Sequence, residues 1–86
     1  MKKTELTPYT IGMIEGIIQY RVRVLNRFES EAERIPEDHW KAPMYESLID
    51  AYTESMSAID EILRALGWDW EEADGIRLIE RSEGNA

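Results

Sequence analysis

The chain is predicted to be all-α: a long antiparallel helical hairpin with a short C-terminal third helix, assembling as a homodimeric or higher helical bundle. Three observations lead there. Apolar residues recur in two long stretches at alternating steps of three and four. One proline closes the first stretch and another opens the second. The chain is only 86 residues long, and a domain of that size buries about 60–65% of its unfolded surface, so it is marginal alone.

The first six residues read as a short frayed lead-in. Thr7-Pro8 then starts a helix, because a threonine hydroxyl can accept an otherwise unpaired amide and proline suits the first helical position. The seam runs Ile11, Ile14, Ile18, Arg21, Leu25, Phe28, Ala32, Ile35, a heptad pattern broken once by arginine. Ile17, Val22 and Val24 flank and widen it. This spacing predicts a helix over 8–35, which Pro36 stops.

Residues 36–42 form the connection, with room for one helical turn. Pro43 opens a second helix over 43–66, whose seam is Tyr45, Ile49, Tyr52, Met56, Ile59, Leu63, Leu66. Leu48 and Ile62 flank this seam, and Glu46, Asp50, Glu54, Asp60, Glu61 and Arg64 face away. Asp60 and Arg64 have the spacing of a favourable pair one turn apart. Gly67 suits a left-handed cap.

The remaining segment carries two signals. Asp69 followed by Glu72 resembles a capping box and predicts a third helix over 70–81. Asp74-Gly75 and the alternation Ile76-Arg77-Leu78 point to a turn and a strand, but a lone strand has no evident partner, so the helix is preferred. Residues 82–86 are expected to be disordered. The whole of 1–86 reads as one domain.

Two helices of similar length joined by a short connection pack antiparallel. The two alone leave part of each wide stripe in water, and dimerisation into a four-helix bundle would cover it. Other reinforcements of a small fold are restricted, because there is no cysteine and only one histidine, His39. No cofactor or metal is expected. No apolar run reaches the length of a membrane span, and no signal-peptide core follows the basic start. The expected location is the cytoplasm, with no membrane contact.

The net charge is −8 and it is segregated. Residues 1–28 carry five Lys/Arg and two Glu, a balance of +3, whereas residues 29–86 carry five Lys/Arg and sixteen Asp/Glu, a balance of −11. Such a surface repels duplex nucleic acid, so direct nucleic-acid binding is not expected. A partner protein with a basic surface is.

Two candidate sites emerge. Trp68, Asp69, Trp70, Glu71 and Glu72 put two tryptophans among acids, a composition suited to a protein-binding hot spot or to closing the open end of the core. On the first helix, Tyr20, Arg21, Arg23 and Arg27 could hold an anionic ligand, since the guanidinium fork matches phosphate and carboxylate. Arg21 can equally lay its stem in the seam and reach the edge or a carboxylate.

Other features are weaker. Gly12 and Gly16 each cost about 1 kcal/mol in a helix interior, which suggests either a close neighbour or a loose first two turns. Glu46, Asp50 and Glu54 stack one turn apart, as carboxylates holding Mg²⁺ for phosphoryl chemistry do, but a solvated face is the preferred reading. Trp40 is expected to cap the end of the core rather than to make an outside contact.

The functional expectation is a small, acidic, non-enzymatic interaction module, an inhibitor or adaptor docking on a basic partner. In general composition, though in no motif, it resembles small phage-encoded inhibitors of host proteins. The alternative is an oligomeric binder of a small anionic ligand or nucleotide through the arginine and tyrosine residues of the first helix.

Overall fold

A computed structural model describes residues 4–81. Its order is α1 (Pro8–Arg34), α2 (Ala42–Leu66), β1 (Trp68–Glu72) and β2 (Ile76–Glu80). The expected disorder of residues 82–86 lies outside the described residues.

α1 begins as its sequence dictates: the Thr7 hydroxyl accepts the Thr10 amide, and Pro8 occupies the first turn. The helix ends at Arg34, one residue short of the predicted boundary. Ile35 is extended, with φ −109° and ψ 152°, the conformation that a following proline imposes. One turn follows, with the His39 amide on the Pro36 carbonyl and the Ala42 amide on the His39 carbonyl. α2 terminates at Gly67, whose φ of 87° lets its amide reach back to the Leu63 and Arg64 carbonyls.

The helices run antiparallel. The Arg21 Nε donates to Ser55 Oγ over 2.7 Å. Near the connection, Phe28 packs against both Tyr45 and Tyr52, with ring centroids 6.2 and 5.7 Å apart.

The predicted third helix over 70–81 is not formed. That segment is an antiparallel β-hairpin, with Trp70 opposite Leu78 and Glu72 opposite Ile76. The reason is a second alternating run that the helix reading passed over. Trp68-Asp69-Trp70 alternates apolar and polar just as Ile76-Arg77-Leu78 does, so each supplies the partner the other lacks. The loop between them places Asp74 at φ 58° and Gly75 at φ 111°, conformations a helix cannot accommodate and a short hairpin loop requires.

The hairpin is stable because one face is buried. Trp68 and Leu78 join Ile18 and Leu63 in the core, with Ile11, Ile14, Val22, Met56, Ile59, Leu66, Trp70 and Ile76 packed around them. An isolated two-stranded sheet is marginal in water, but here two α1 side chains hold its backbone. Glu15 accepts the Leu78 amide at 2.8 Å and Gln19 the Ile76 amide at 3.2 Å. These bonds cover an edge of β2 that would otherwise present free donors.

The lead-in is also more ordered than its composition suggests over residues 4–6. The Thr4 amide donates to the Leu66 carbonyl at 2.7 Å, satisfying a C-terminal acceptor of α2. The Thr4 carbonyl accepts the Trp68 indole at 2.7 Å, and Leu6 packs against the core. Core burial is thus concentrated at one end of a molecule measuring 49 × 24 × 18 Å.

Candidate interaction surfaces

Of the four residues singled out on α1, Tyr20 and Arg27 line one depression, and Arg21 and Arg23 lie elsewhere. Arg21 turns inward along the helix interface to Ser55, rather than to a carboxylate. Arg23 and Arg27 are exposed and do not follow Arg21 inward, because residues two and six positions on from it fall well around the helix. Tyr20 is 59% exposed. It shares a shallow depression of about 380 Å³ with Arg27, Phe28, Glu31, Tyr45 and Tyr52. Glu31 there offsets the single arginine, so the depression is not an anion cradle of several cations.

The tryptophan-acid run is divided by the strand period. Trp68 and Trp70 lie on the helix-facing side of the hairpin, and Asp69 and Glu71 on the other. Trp68 is only 7% exposed. Trp70 is half-buried and donates its indole N–H to Asp60 Oδ1 at 2.7 Å. This contact, and not the spacing with Arg64, defines the role of Asp60. Outside remain the carboxylates of Asp69, Glu71 and Glu72, all exposed, with Asp69 3.8 Å from Arg81.

Trp40 does not cap the core. It is 75% exposed, stacked on His39 at 5.8 Å, with the Lys41 ammonium 5.3 Å from its ring. The connection is too short to fold back over the helix ends, so its widest side chain stays outside. Gly12 and Gly16 have no close neighbour: a Cβ at either would meet nothing within 4 Å. Among the described residues, no three His, Asp or Glu side chains gather as a metal site would need, so Glu46, Asp50 and Glu54 stand apart. No helix among the described residues is long and apolar enough to cross a membrane.

One surface takes in residues that the spacing marks only as flanks of the two seams, Ile17, Val24, Leu48 and Ile62. On the side of the helix pair away from the hairpin, α1 exposes Met13, Ile17 and Tyr20, and α2 exposes Met44 and Ile62. Beside Ile17 and Ile62 lies a groove of about 180 Å³ lined by the aliphatic side chains of Ile14, Ile17, Ile59, Ile62, Leu63 and Leu66. The signal was present in the spacing. Met13, Ile17, Tyr20, Val24 and Met44, Leu48, Ala51, Ser55, Ala58, Ile62, Ala65 form second heptad seams beside those already described.

No family model, no curated protein and no solved structure matches the chain. Its functional reading therefore rests on its own residues.

Proposed function

We propose that the protein is a non-enzymatic interaction module, an inhibitor or adaptor that presents an acidic surface to a basic protein and acts as an assembly of its own copies. The observation that carries this is the disposition of acids along the acidic part of the chain. From Glu29 to Glu80, every Asp and Glu except Glu31 and Asp60 is exposed. On the hairpin the tryptophans are turned inward; its outer face carries Asp69 and Glu71, each beside a cation, Arg81 and Arg77, with the exposed carboxylates of Glu72 and Asp74 at the loop end. Recognition of that kind works through long-range attraction and a fast encounter, and it weakens as salt rises.

The test is capture of identified basic proteins by the immobilised chain, with the affinity then measured at rising salt. Wild type is expected to bind a basic partner at about 50 mM salt and to lose most of that affinity within a few-fold increase. Glu71→Lys with Glu72→Lys should weaken binding by roughly tenfold or more. If no basic protein binds even at low salt, or if the charge-reversed variant binds equally well, the reading falls.

A further inference from the structure

We infer that the apolar face opposite the hairpin is the seat of a second copy of this chain, packed about a two-fold axis that runs along the helices. The inference rests on the self-association in the reading above and names its surface and geometry.

The first argument is size. Two helices of 27 and 25 residues lying side by side present a face about 38 Å long and about 20 Å wide. That footprint of about 750 Å² per copy matches the roughly 800 Å² per partner of a standard specific interface. The face is apolar over the half nearer the hairpin, with Met13 51%, Ile17 43% and Ile62 59% exposed, and on α1 it becomes charged at Arg27 and Glu31 toward the connection.

The second argument is fit. The second seam of α1 is bulky, and that of α2 is small at its middle, Ala51, Ser55 and Ala58. Heights along the pair are set by two contacts. Arg21 is level with Ser55, and Phe28 lies between Tyr45 and Tyr52. A two-fold axis along the helices preserves those heights and lays α1 of each copy antiparallel on α2 of the other. Val24 then falls between Ala51 and Ser55 of the second copy, Tyr20 between Ser55 and Ala58, and Ile17 between Ala58 and Ile62. These are knobs entering holes, the packing that a 3.5-residue period produces.

The third argument is charge. By the same counting, Arg23 stands level with position 53–54 and Arg27 with position 49–50. Arg23, Arg27, Asp50 and Glu54 are all exposed, and the helical period sets Arg23, Asp50 and Glu54 on the outer side of the second seams, with Arg27 at the seam's edge beside Tyr20. The proposed axis brings Arg23 and Arg27 of one copy beside Glu54 and Asp50 of the other, twice over. The competing two-fold, perpendicular to the helices, would lay α1 on α1. It would set bulky seam against bulky seam and arginines on the same basic helix, so the geometry points to the first.

Sedimentation equilibrium at about 20 μM, a concentration at which ordinary specific interfaces are occupied, should give twice the 10.0 kDa chain mass. Ile17→Asp and Ile62→Asp should give helical monomers by circular dichroism. The pair Arg23→Glu with Arg27→Glu should weaken association roughly tenfold or more, and adding Asp50→Lys with Glu54→Lys should restore it. These charge changes touch no core residue, so they decide the matter even if the aspartate variants fail to fold. Arg23→Cys combined with Glu54→Cys should oxidise to a covalent dimer, whereas either cysteine alone should not. A folded wild-type monomer overturns both this inference and the self-association it rests on. A dimer that survives both aspartate variants with its helix content intact overturns only the assigned face. Crosslinking through Arg23→Cys alone would overturn the assigned axis.

Discussion

Trp68→Ala is the substitution that most directly tests how the core is closed. Trp68 is 7% exposed, packs with Ile18, Leu63 and Leu78, and donates its indole N–H to the Thr4 carbonyl at 2.7 Å. Truncating a buried tryptophan to alanine costs about 3–5 kcal/mol, and the lost hydrogen bond adds about 1 kcal/mol. At the usual 0.05–0.15 kcal/mol per residue, an 86-residue chain has only about 4–13 kcal/mol in total. With a urea m-value of about 1.2 kcal/mol/M, a loss of about 4 kcal/mol moves the midpoint down by about 3 M. Trp68→Phe keeps most of the ring but loses the donor, so it should cost only about 1–2 kcal/mol. Urea titration followed by far-ultraviolet circular dichroism gives both values, provided protein concentration is held fixed, since association shifts apparent stability. If Trp68→Ala lowers the midpoint by less than about 0.4 M, the value of a surface change, the hairpin does not close the core.

Gly12→Ala and Gly16→Ala should each raise stability by about 0.5–1 kcal/mol, since helix propensity improves and an added Cβ meets nothing within 4 Å. Thermal denaturation reads this as a rise of several degrees, and a fall would mean that something packs against that flank. Gly75→Ala should destabilise by about 1–2 kcal/mol through its φ of 111° alone, because the nearest outside atom to an added Cβ, Gln19 Oε1, is 3.8 Å away; an unchanged urea midpoint would show that the turn can relax. Ser55→Ala leaves the part-buried Arg21 Nε without its acceptor and should cost about 1 kcal/mol, whereas Arg21→Met, which completes the apolar seam, should be neutral or stabilising. A destabilisation by Arg21→Met as large as that of Ser55→Ala would show that the guanidinium contributes more than this one bond.

The helices were legible because their signals are local. Thr7-Pro8 and Gly67 act within one turn of themselves, and heptad spacing does not depend on what packs against it. The hairpin was misread because its decisive feature is a relation between two short runs, each ambiguous alone. Asp69 and Glu72 fit a helix start only as long as Trp68 and Trp70 are read as anchors rather than as the inward side of a strand. The surface residues fared unevenly for a related reason. Arg21 was marked as exceptional, but its partner, Ser55, is a small polar side chain with no distinguishing pattern. Glu15 and Gln19 look like ordinary solvent-facing positions on α1, and only the presence of β2 gives them backbone amides to accept.

The hairpin also changes what self-association has to accomplish. With two bare helices, each apolar stripe would have two wet sides, and association could continue from one copy to the next. Here Trp68, Trp70, Ile76 and Leu78 cover one side, which leaves one apolar face of the helix pair among the described residues. A single face that binds its own kind about a two-fold axis would be used up when two copies meet, so the proposed assembly would stop at the dimer. In the proposed dimer the two hairpins would lie on opposite outer surfaces, each carrying Asp69, Glu71 and Glu72. A basic partner that repeats its binding sites would be held at two points, and its apparent affinity would exceed that of one surface by the effective concentration of the second. The monomeric Ile62→Asp variant should therefore keep the affinity of wild type for a single basic site but lose the excess affinity for a repeated one. Equal losses on both would mean that the two surfaces are not independent.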